Sequence, residues 1–407
     1  MKETEILVIG GGPAGLCAAK AASSLGASVL ICERDEALGG QLVKQTHKFF
    51  GSRKQYAGDR GIAIASLLLD EIQNDPKIKV MPDTTVIGIY EDGLVLAESL
   101  AEHNESEEIV KINPRKIIVA AGAAEKFLPF PGNDLPGIYG AGAVQTLMNV
   151  EGVVPGERVL MVGAGNIGLI VSYQLAQAAV ETAAVIEAAQ SIGGYLVHAS
   201  RLRRMGIPIR TGYTVKKAYG DGKVEGAIIC RLDDKWNMIS GTEEDIKCDT
   251  ICLAVGLVPL TALCWQADCE LAYVSELSGH VPLLDKYMQT TNPKIYAAGD
   301  VRGIEEASSA MVEGRLAGYS AALSLGYGKD TAAQLRADAM AELDELRAGP
   351  TGERIRRGIE KVERMADRPS VKQAAPAKQA ELKAGNTNKA GGANIVGGAN
   401  IVGGYKC

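Results

Sequence analysis

Every apolar stretch in this sequence is broken by Gly, Ser or charge before the roughly 18 to 20 residues that a spanning helix needs, so no membrane span is expected. The opening Met-Lys-Glu-Thr-Glu passes at once into Ile6 to Ile9, too short and acidic for a secretory signal, and a cytoplasmic location follows as the expectation. There is no long basic block: 43 basic residues stand against 49 acidic ones, a formal charge of −6, which argues against nucleic acid or an anionic membrane as partner. There is also no Cys-x-x-Cys pair. The eight cysteines (17, 32, 230, 248, 252, 264, 269 and 407) are scattered through apolar patterns where a reduced core thiol is the default. Cys248 with Cys252, and Cys264 with Cys269, are the two pairs whose spacing lets them meet in space or bind metal. No metal set is assigned.

What the sequence does have is glycine, 48 residues in 407, enough chain for two or three domains. Hydrophobic period gives a strand (Glu5 to Gly10), a helix (Ala14 to Leu25) and a strand (Ser28 to Glu33), a βαβ unit. A second copy follows as strand Val159 to Gly163, helix Ile167 to Ala179 and strand Thr182 to Glu187. The likeness continues, because Glu33-x5-Gly39-Gly40-x-Leu42 is matched by Glu187-x5-Gly193-Gly194-x-Leu196. Each copy leads into alternating strand-like runs about a turn, Asp92-Gly93 in the first and Asp221-Gly222 in the second, which predicts two β-meanders. Each then closes on an apolar strand, Lys116 to Gly122 and Thr250 to Gly256. The strand Lys294 to Ala298 with Gly299-Asp300 has no evident parallel and is assigned to the first domain, which makes that domain discontinuous.

The predicted fold is therefore α/β, with two nested Rossmann-like dinucleotide-binding domains. The first takes residues 1–148 and 257–328, and the second takes 149–256. A charged helical arm, 329–366, breaks at Gly349-Pro350 and lies on the surface. Residues 367–407 form a low-complexity, glycine-rich tail with Gly-Gly-Ala-Asn-Ile-Val twice in tandem, read either as disordered or as a β-forming arm that adds to a partner's sheet. Cys407 at its end is an incidental thiol or a partner contact.

Gly10-x-Gly12-x-x-Gly15 stands where a strand turns into a helix. The first glycine makes the turn, the second lets backbone approach a pyrophosphate, and the third packs helix on strand. The helix N-terminus supplies free N–H groups and partial positive charge to the phosphates. Glu33, about twenty residues on, is placed to bond ribose hydroxyls. Gly163-x-Gly165-x-x-Gly168 with Glu187 repeats the device, and NAD is its natural ligand, because an acid there repels a 2′-phosphate and Ala188, Ala189 and Gln190 offer no arginine to hold one. The alternative is a duplicated turn that kept its glycines after losing its ligand.

Those two fingerprints, with Gly39-Gly40-Gln41-Leu42, Ala120-Ala121-Gly122 and Ile295-Tyr-Ala-Ala-Gly-Asp300, resemble the FAD/NAD-linked disulfide-reductase-like flavoproteins over about residues 5 to 325. The resemblance implies FAD contacts from Gly10, Gly12, Pro13, Ala14, Gly15, Glu33, Arg34, Gly40, Gln41, Ala121, Gly122, Gly299 and Asp300. It implies NAD contacts from Gly163, Gly165, Asn166, Ile167, Gly168 and Glu187. In that family the aspartate corresponding to Asp300 bonds the ribityl chain, and the helix after it, about Ala307 to Leu323, aims its N-terminus at the flavin pyrimidine. The redox Cys-x-x-Cys of thioredoxin reductase is missing, and so is the Cys-x4-Cys that lipoamide-type enzymes carry near their first forty residues, since Cys17 and Cys32 do not have that spacing; disulfide reduction is therefore disfavoured and no catalytic residue is assigned.

Three further segments, Gly39-Gly-Gln-Leu-Val-Lys-Gln-Thr-His-Lys-Phe-Phe50, Gly256-Leu-Val-Pro-Leu-Thr261 and Ile304-Glu-Glu-Ala-Ser-Ser-Ala-Met-Val-Glu-Gly-Arg-Leu-Ala-Gly318, are similar to flavoprotein subunits of amine and imino-acid dehydrogenase complexes. These are the sarcosine oxidase alpha, opine oxidase A, hydrogen cyanide synthase B and dye-linked proline dehydrogenase type. The resemblance implies an electron-transfer flavoprotein subunit with a D-amino-acid-oxidase-like catalytic partner, and FMN at a subunit interface. Several of those relatives carry a cysteine-rich C-terminal segment for a [2Fe-2S] cluster, absent here, so either a small iron–sulfur subunit carries the cluster or the analogy stops there. Two alternatives stand beside this: a self-contained NAD(P)H-dependent FAD reductase, and a structural subunit stabilised by nucleotide. Lys44, His47 and Lys48 fall in a segment that passes near the isoalloxazine in the resembling folds, either as cations that stabilise reduced flavin or as solvated loop residues.

Overall fold

The computed structural model describes residues 1–49, 52–100 and 107–366. Phe50 and the tail 367–407 with Cys407 lie outside the described residues. In the first half, β1 (Lys2–Ile9), α1 (Pro13–Ser24) and β2 (Val29–Cys32) form the βαβ unit, and α2 (Gly61–Asp70) leads to β3 (Ile78–Met81). The first meander follows as β4 (Thr84–Ile89), β5 (Val95–Leu100) and β6 (Glu107–Val119), after which come β7 (Ala123–Glu125), β8 (Ile138–Gly140) and α3 (Ala141–Asn149). The second copy is β9 (Arg158–Val162), α4 (Asn166–Gln177) and β10 (Glu181–Glu187), then α5 (Leu196–Arg204) and β11 (Ile209–Thr211). Its meander is β12 (Tyr213–Tyr219), β13 (Gly226–Arg231) and β14 (Glu244–Lys247), closed by β15 (Thr250–Leu253). The chain returns through β16 (Leu257–Pro259), α6 (Ala262–Gln266), β17 (Leu271–Val274), β18 (Gly279–Pro282) and β19 (Ile295–Ala297) to three helices, α7 (Ala307–Ser324), α8 (Ala332–Leu346) and α9 (Gly349–Ala366).

The first sheet runs β3-β2-β1-β6-β5-β4, with β19 also paired to β6. β6 is long enough to serve two partners on one edge: its start pairs antiparallel with β5, and Ile117 to Val119 pair in parallel with β19. The second sheet is parallel and runs β11-β10-β9-β15-β8. β1 and β9 read as unbroken apolar runs because side chains of alternate residues enter separate cores on the two faces of the sheet. Thus Ile6 and Val8 pack with α1 and α7, while Leu7 and Ile9 pack with β5, Cys264 and Val301.

Two expectations change. Ile138–Gly140 pairs with Thr250–Leu253, so the second sheet takes a strand from before the expected division at 148/149. That strand and α3 are the parallel that β19 and α7 were expected to lack: β8 joins β15 as β19 joins β6, each followed directly by a helix or a short turn and helix. The parallel is hidden in sequence because it precedes its domain's first strand in one half and follows the last in the other. The arm also differs from a solvated hairpin. Its two helices meet at Gly349 as expected, yet Ala339 and Leu343 are buried in the core of α1 and α7, and Val362 of α9 is buried with Leu277 and Val281.

α1 and α7 approach so closely that a Cβ on Gly314 would stand 2.1 Å from the Ala14 carbonyl oxygen, and one on Gly318 would stand 2.3 Å from that of Ala18. Neither backbone can yield without moving a helix. Gly314→Ala is therefore expected to cost about 1–3 kcal/mol of folding free energy, read as a lower urea midpoint at unchanged slope; an unchanged midpoint would show that the helices do not meet at this distance.

Candidate functional site

Gly10 takes φ +104 to leave β1, and its amide donates to the Cys32 carbonyl at 2.9 Å, tying the turn to β2. A Cβ on Gly15 would lie 1.8 Å from the Gly10 carbonyl oxygen, so only glycine lets α1 start this close to the strand. Gly12 caps α1 in extended conformation and Pro13 opens the helix, where its missing N–H costs nothing. Around Gly12 a Cβ would meet only the Gly40 backbone, at 3.9 Å. Gly40 therefore roofs the turn while leaving space at the helix N-terminus. Gly122, which follows Ala121 in the link from β6 to β7, has nothing within 4 Å of a Cβ and borders open space as well.

Glu33 is buried at the end of β2, with one carboxylate oxygen accepting from Gly11 N at 2.6 Å and the other from Asp35 N at 3.0 Å. Glu187 repeats this bond for bond, accepting from Ala164 N at 2.8 Å and Ala189 N at 3.0 Å. A carboxylate has about four lone-pair sites, so each acid braces its turn and keeps capacity for a hydroxyl. In the second turn a Cβ on Gly168 would lie 2.0 Å from the Gly163 carbonyl oxygen, Gly194 presses on Gly165, and Gly165 itself has open space. Asn166 accepts from Tyr195 N at 2.8 Å, which closes the loop over the turn, and Ile167 is exposed. Arg34 is exposed beside Asp35, and Gln41 is exposed.

The late motif is brought to the same place. Gly299 lies against Ala14, where its Cβ would stand 2.9 Å from the alanine methyl, and Asp300 is half-buried with the Glu305 amide 3.4 Å away. Burial pushes the Asp300 carboxyl up to about 7, the Glu305 amide acts against this, and Glu313, Glu305 and Glu306 add to it. Glu306 caps α7 and is raised too, by burial and then by Glu305. Tyr195 of the second half is raised by burial and then by the charge of Glu306. At the matching position of the second half, Glu125 accepts from Gly142 N at 2.6 Å and Ala143 N at 3.3 Å, so the α3 N-terminus already holds a carboxylate of the chain itself.

The network that fixes Asp300 is not foreseen from the sequence. Glu313 accepts from Gly299 N at 3.0 Å and pairs with both Arg302 and Arg347. Arg347, from the end of α8, also holds Glu305 at 2.7 Å. The acids are visible in the sequence around Ile304 to Gly318. Their partner is not, because Arg347 reads as one more charge of a polar helix.

Lys44 is buried and donates to the Gly142 carbonyl at 3.1 Å and Thr146 at 3.3 Å, with its ammonium lowered by burial. It ties the first half to α3 and is not a solvated loop cation. His47 is pushed down to about 4 by burial, with His198 adding to it, so it is neutral at pH 7. Cys264 and Cys269 do meet: their thiols are hydrogen-bonded, and Cys269 also bonds Thr290 at 3.2 Å. They lie in the core on the face of the first sheet away from α1. Among the described residues no group of three or more His, Cys, Asp or Glu is arranged to hold a metal ion, and no helix is long and apolar enough to cross a membrane.

A helix N-terminus with open backbone, a braced acid and a half-buried aspartate suit FAD at the first turn. The same helix N-terminus and braced acid, with Ala188, Ala189 and Gln190 offering no cation to a 2′-phosphate, suit NAD at the second. This is the construction of a two-dinucleotide flavin oxidoreductase. The model of the pyridine nucleotide-disulphide oxidoreductase family matches residues 4–314, and the chain belongs to that family, whose members bind FAD and NAD(P). The A subunit of opine oxidase from Agrobacterium tumefaciens (strain Ach5) is 28% identical over 344 residues, covering 79% of this chain and 66% of that protein. The alpha subunit of sarcosine oxidase from Corynebacterium sp. (strain P-1) is 27% identical over 335 residues, covering 80% of this chain and 33% of its own length. The match thus spans about two thirds of one relative and a third of the other. The crystal structure of T. acidophilum thioredoxin reductase superposes with a TM-score of 0.64 at 22% identity, over 80% of this chain and 99% of that one.

Two measurements check the site. In flavin-free protein, Asp300 is expected to contribute a fall in folding stability as pH rises from about 4 to about 7, because the unfolded group ionises near 3.8 while the folded group holds its proton to about 7. The fall should be smaller in Asp300→Asn, seen as the difference between the two melting-temperature profiles. Arg347→Met leaves Glu305 and Glu313 short of a cation in the interior and is expected to destabilise the fold by about 3–5 kcal/mol in urea titration.

Proposed function

We propose that this chain is the FAD-carrying electron-transfer subunit of a heteromeric amine or imino-acid dehydrogenase or oxidase complex. The observation that carries the reading is the make-up of the first site. Backbone N–H groups, Glu33 and Asp300 converge there, while the two thiols that meet, Cys264 and Cys269, pack on the other face of the sheet. A site built in this way can bind a flavin and pass electrons on, and among the described residues no pair of thiols faces it as a relay. That two relatives are named as subunits of opine and sarcosine oxidases supports the heteromeric part.

In this reading, bound FAD supplies acceptance and release of an electron pair. The chain's own part is to hold it: Gly10 to Gly15, Glu33, Gly40, Gly122 and Gly299 bind and position the cofactor, and Asp300 takes the ribityl chain. The α7 N-terminus would offer its amides to the negative charge that the flavin gathers on reduction. A separate D-amino-acid-oxidase-like subunit oxidises the C–N bond. FMN at a subunit interface and a small iron–sulfur subunit complete the electron path, and NAD occupies the Gly163 to Gly168 turn.

The second reading, a self-contained NAD(P)H-dependent flavin reductase, is favoured by the intact second turn. Anaerobic mixing of the natively purified protein separates the two. The complex is expected to bleach its flavin with a donor from a panel of proline, N-methyl amino acids and opines, and to stay oxidised with NADH. Rapid bleaching by NADH in a fully active lone monomer would overturn the proposal in favour of the reductase. Flavin that no donor reduces would leave a structural subunit stabilised by nucleotide.

A further inference from the structure

A cleft of about 250 Å³ opens between the Thr46 to Lys48 segment, Arg60, the middle and end of α4, and α5. The chain as a whole is acidic, with a formal charge of −6, yet Lys48, Arg60 and Arg201 converge here and no carboxylate is among the described residues that line the cleft. None of the three is in an ion pair with a described residue. Arg201 is held over the Tyr173 ring at 4.6 Å, which fixes the guanidinium as part of the wall. His47 and His198 stand beside these cations. Both are disfavoured as imidazolium, by burial first and then by His198 and Arg201 respectively, so neither adds a positive charge of its own to the three cations. His47 Nδ1 is buried with no hydrogen-bond partner among the described residues, although a buried ring nitrogen ordinarily has one.

We propose that this cleft is a binding site for a phosphate monoester carried on a small organic ligand. Three uncompensated cations call for a dianion, and a single carboxylate would leave most of that charge unanswered. The remaining wall, including Leu169, Ile170 and Val197, offers an apolar surface to the body of such a ligand. The volume lies just under the roughly 300 Å³ at which small-molecule pockets begin, too little for a dinucleotide. The site is also distinct from the second nucleotide turn, whose phosphate position is the N-terminus of α4, whereas the cleft runs along that helix as far as Gln177. The inference does not depend on the proposed electron-transfer role.

Calorimetric titration of the full chain in low-chloride buffer at pH 7, with phenyl phosphate, inorganic phosphate and benzoate as probes, tests the site. Phenyl phosphate is expected to bind most tightly, with inorganic phosphate weaker and benzoate weaker still. Arg201→Gln, an exposed position whose loss leaves the fold intact, should weaken phenyl phosphate about tenfold or more. Arg203→Gln, on the same helix but outside the cleft, should leave it unchanged. Benzoate binding as tightly as phenyl phosphate would overturn the dianion assignment. No saturable binding, an equal loss in both variants, or phosphate binding indifferent to Arg201→Gln would overturn the site itself, the last by placing the phosphate at the dinucleotide turns.

Discussion

The first nucleotide site depends on two helix backbones meeting without a side chain between them. Where Gly314 of α7 lies on the Ala14 carbonyl of α1, residues three hundred apart in sequence become neighbours. Gly299 is thereby set against Ala14 at the opening of α1, and Asp300 reaches the turn that begins at Gly10. Glu313, adjacent to the contact, receives the Gly299 amide and the guanidinium groups of Arg302 and Arg347. A side chain at Gly314 would separate the helices and move every one of these groups. Close packing here does more than stabilise, because it fixes the distance between the two ends of the site.

The two halves of the molecule solve one problem with different remainders. Each has a glycine turn, an acid bracing that turn through two amides, a Gly-Gly segment lying over it, and a strand and helix added beside the closing strand. In the first half that added helix is α7, whose start gathers Asp300, Glu305 and Glu306. In the second it is α3, whose first amides are already satisfied by Glu125. Duplication thus left the dinucleotide turn alike in both halves and made the facing helix different.

How much of this was legible in the sequence follows from how local each feature is. The glycine turns, Glu33, Glu187 and the βαβ order are set by short-range geometry, and their spacing carries them. The pairing of Gly299-Asp300 with the first half was legible only because the apolar strand before it ends in a recognisable motif. The placement of Ile138–Gly140 was not legible, since a three-residue strand has too little period to mark a partner more than a hundred residues away. Arg347 was hidden for a different reason: burial of a guanidinium depends on carboxylates supplied by another helix, and nothing around Arg347 itself announces them. Lys44 is a similar case, a cation open to two readings, flavin neighbour or loop charge, whose partners, Gly142 and Thr146, belong to α3.

The bracing acids bear on timing. Because Glu33 and Glu187 hold the turn amides through bonds within the chain, each turn has its shape before any nucleotide arrives. Little ordering entropy is left to be lost on association. Capture is then governed by diffusional encounter with a rigid cradle, and the lifetime of the complex by escape from it. A cofactor carrier made this way can be loaded late, after its fold is complete.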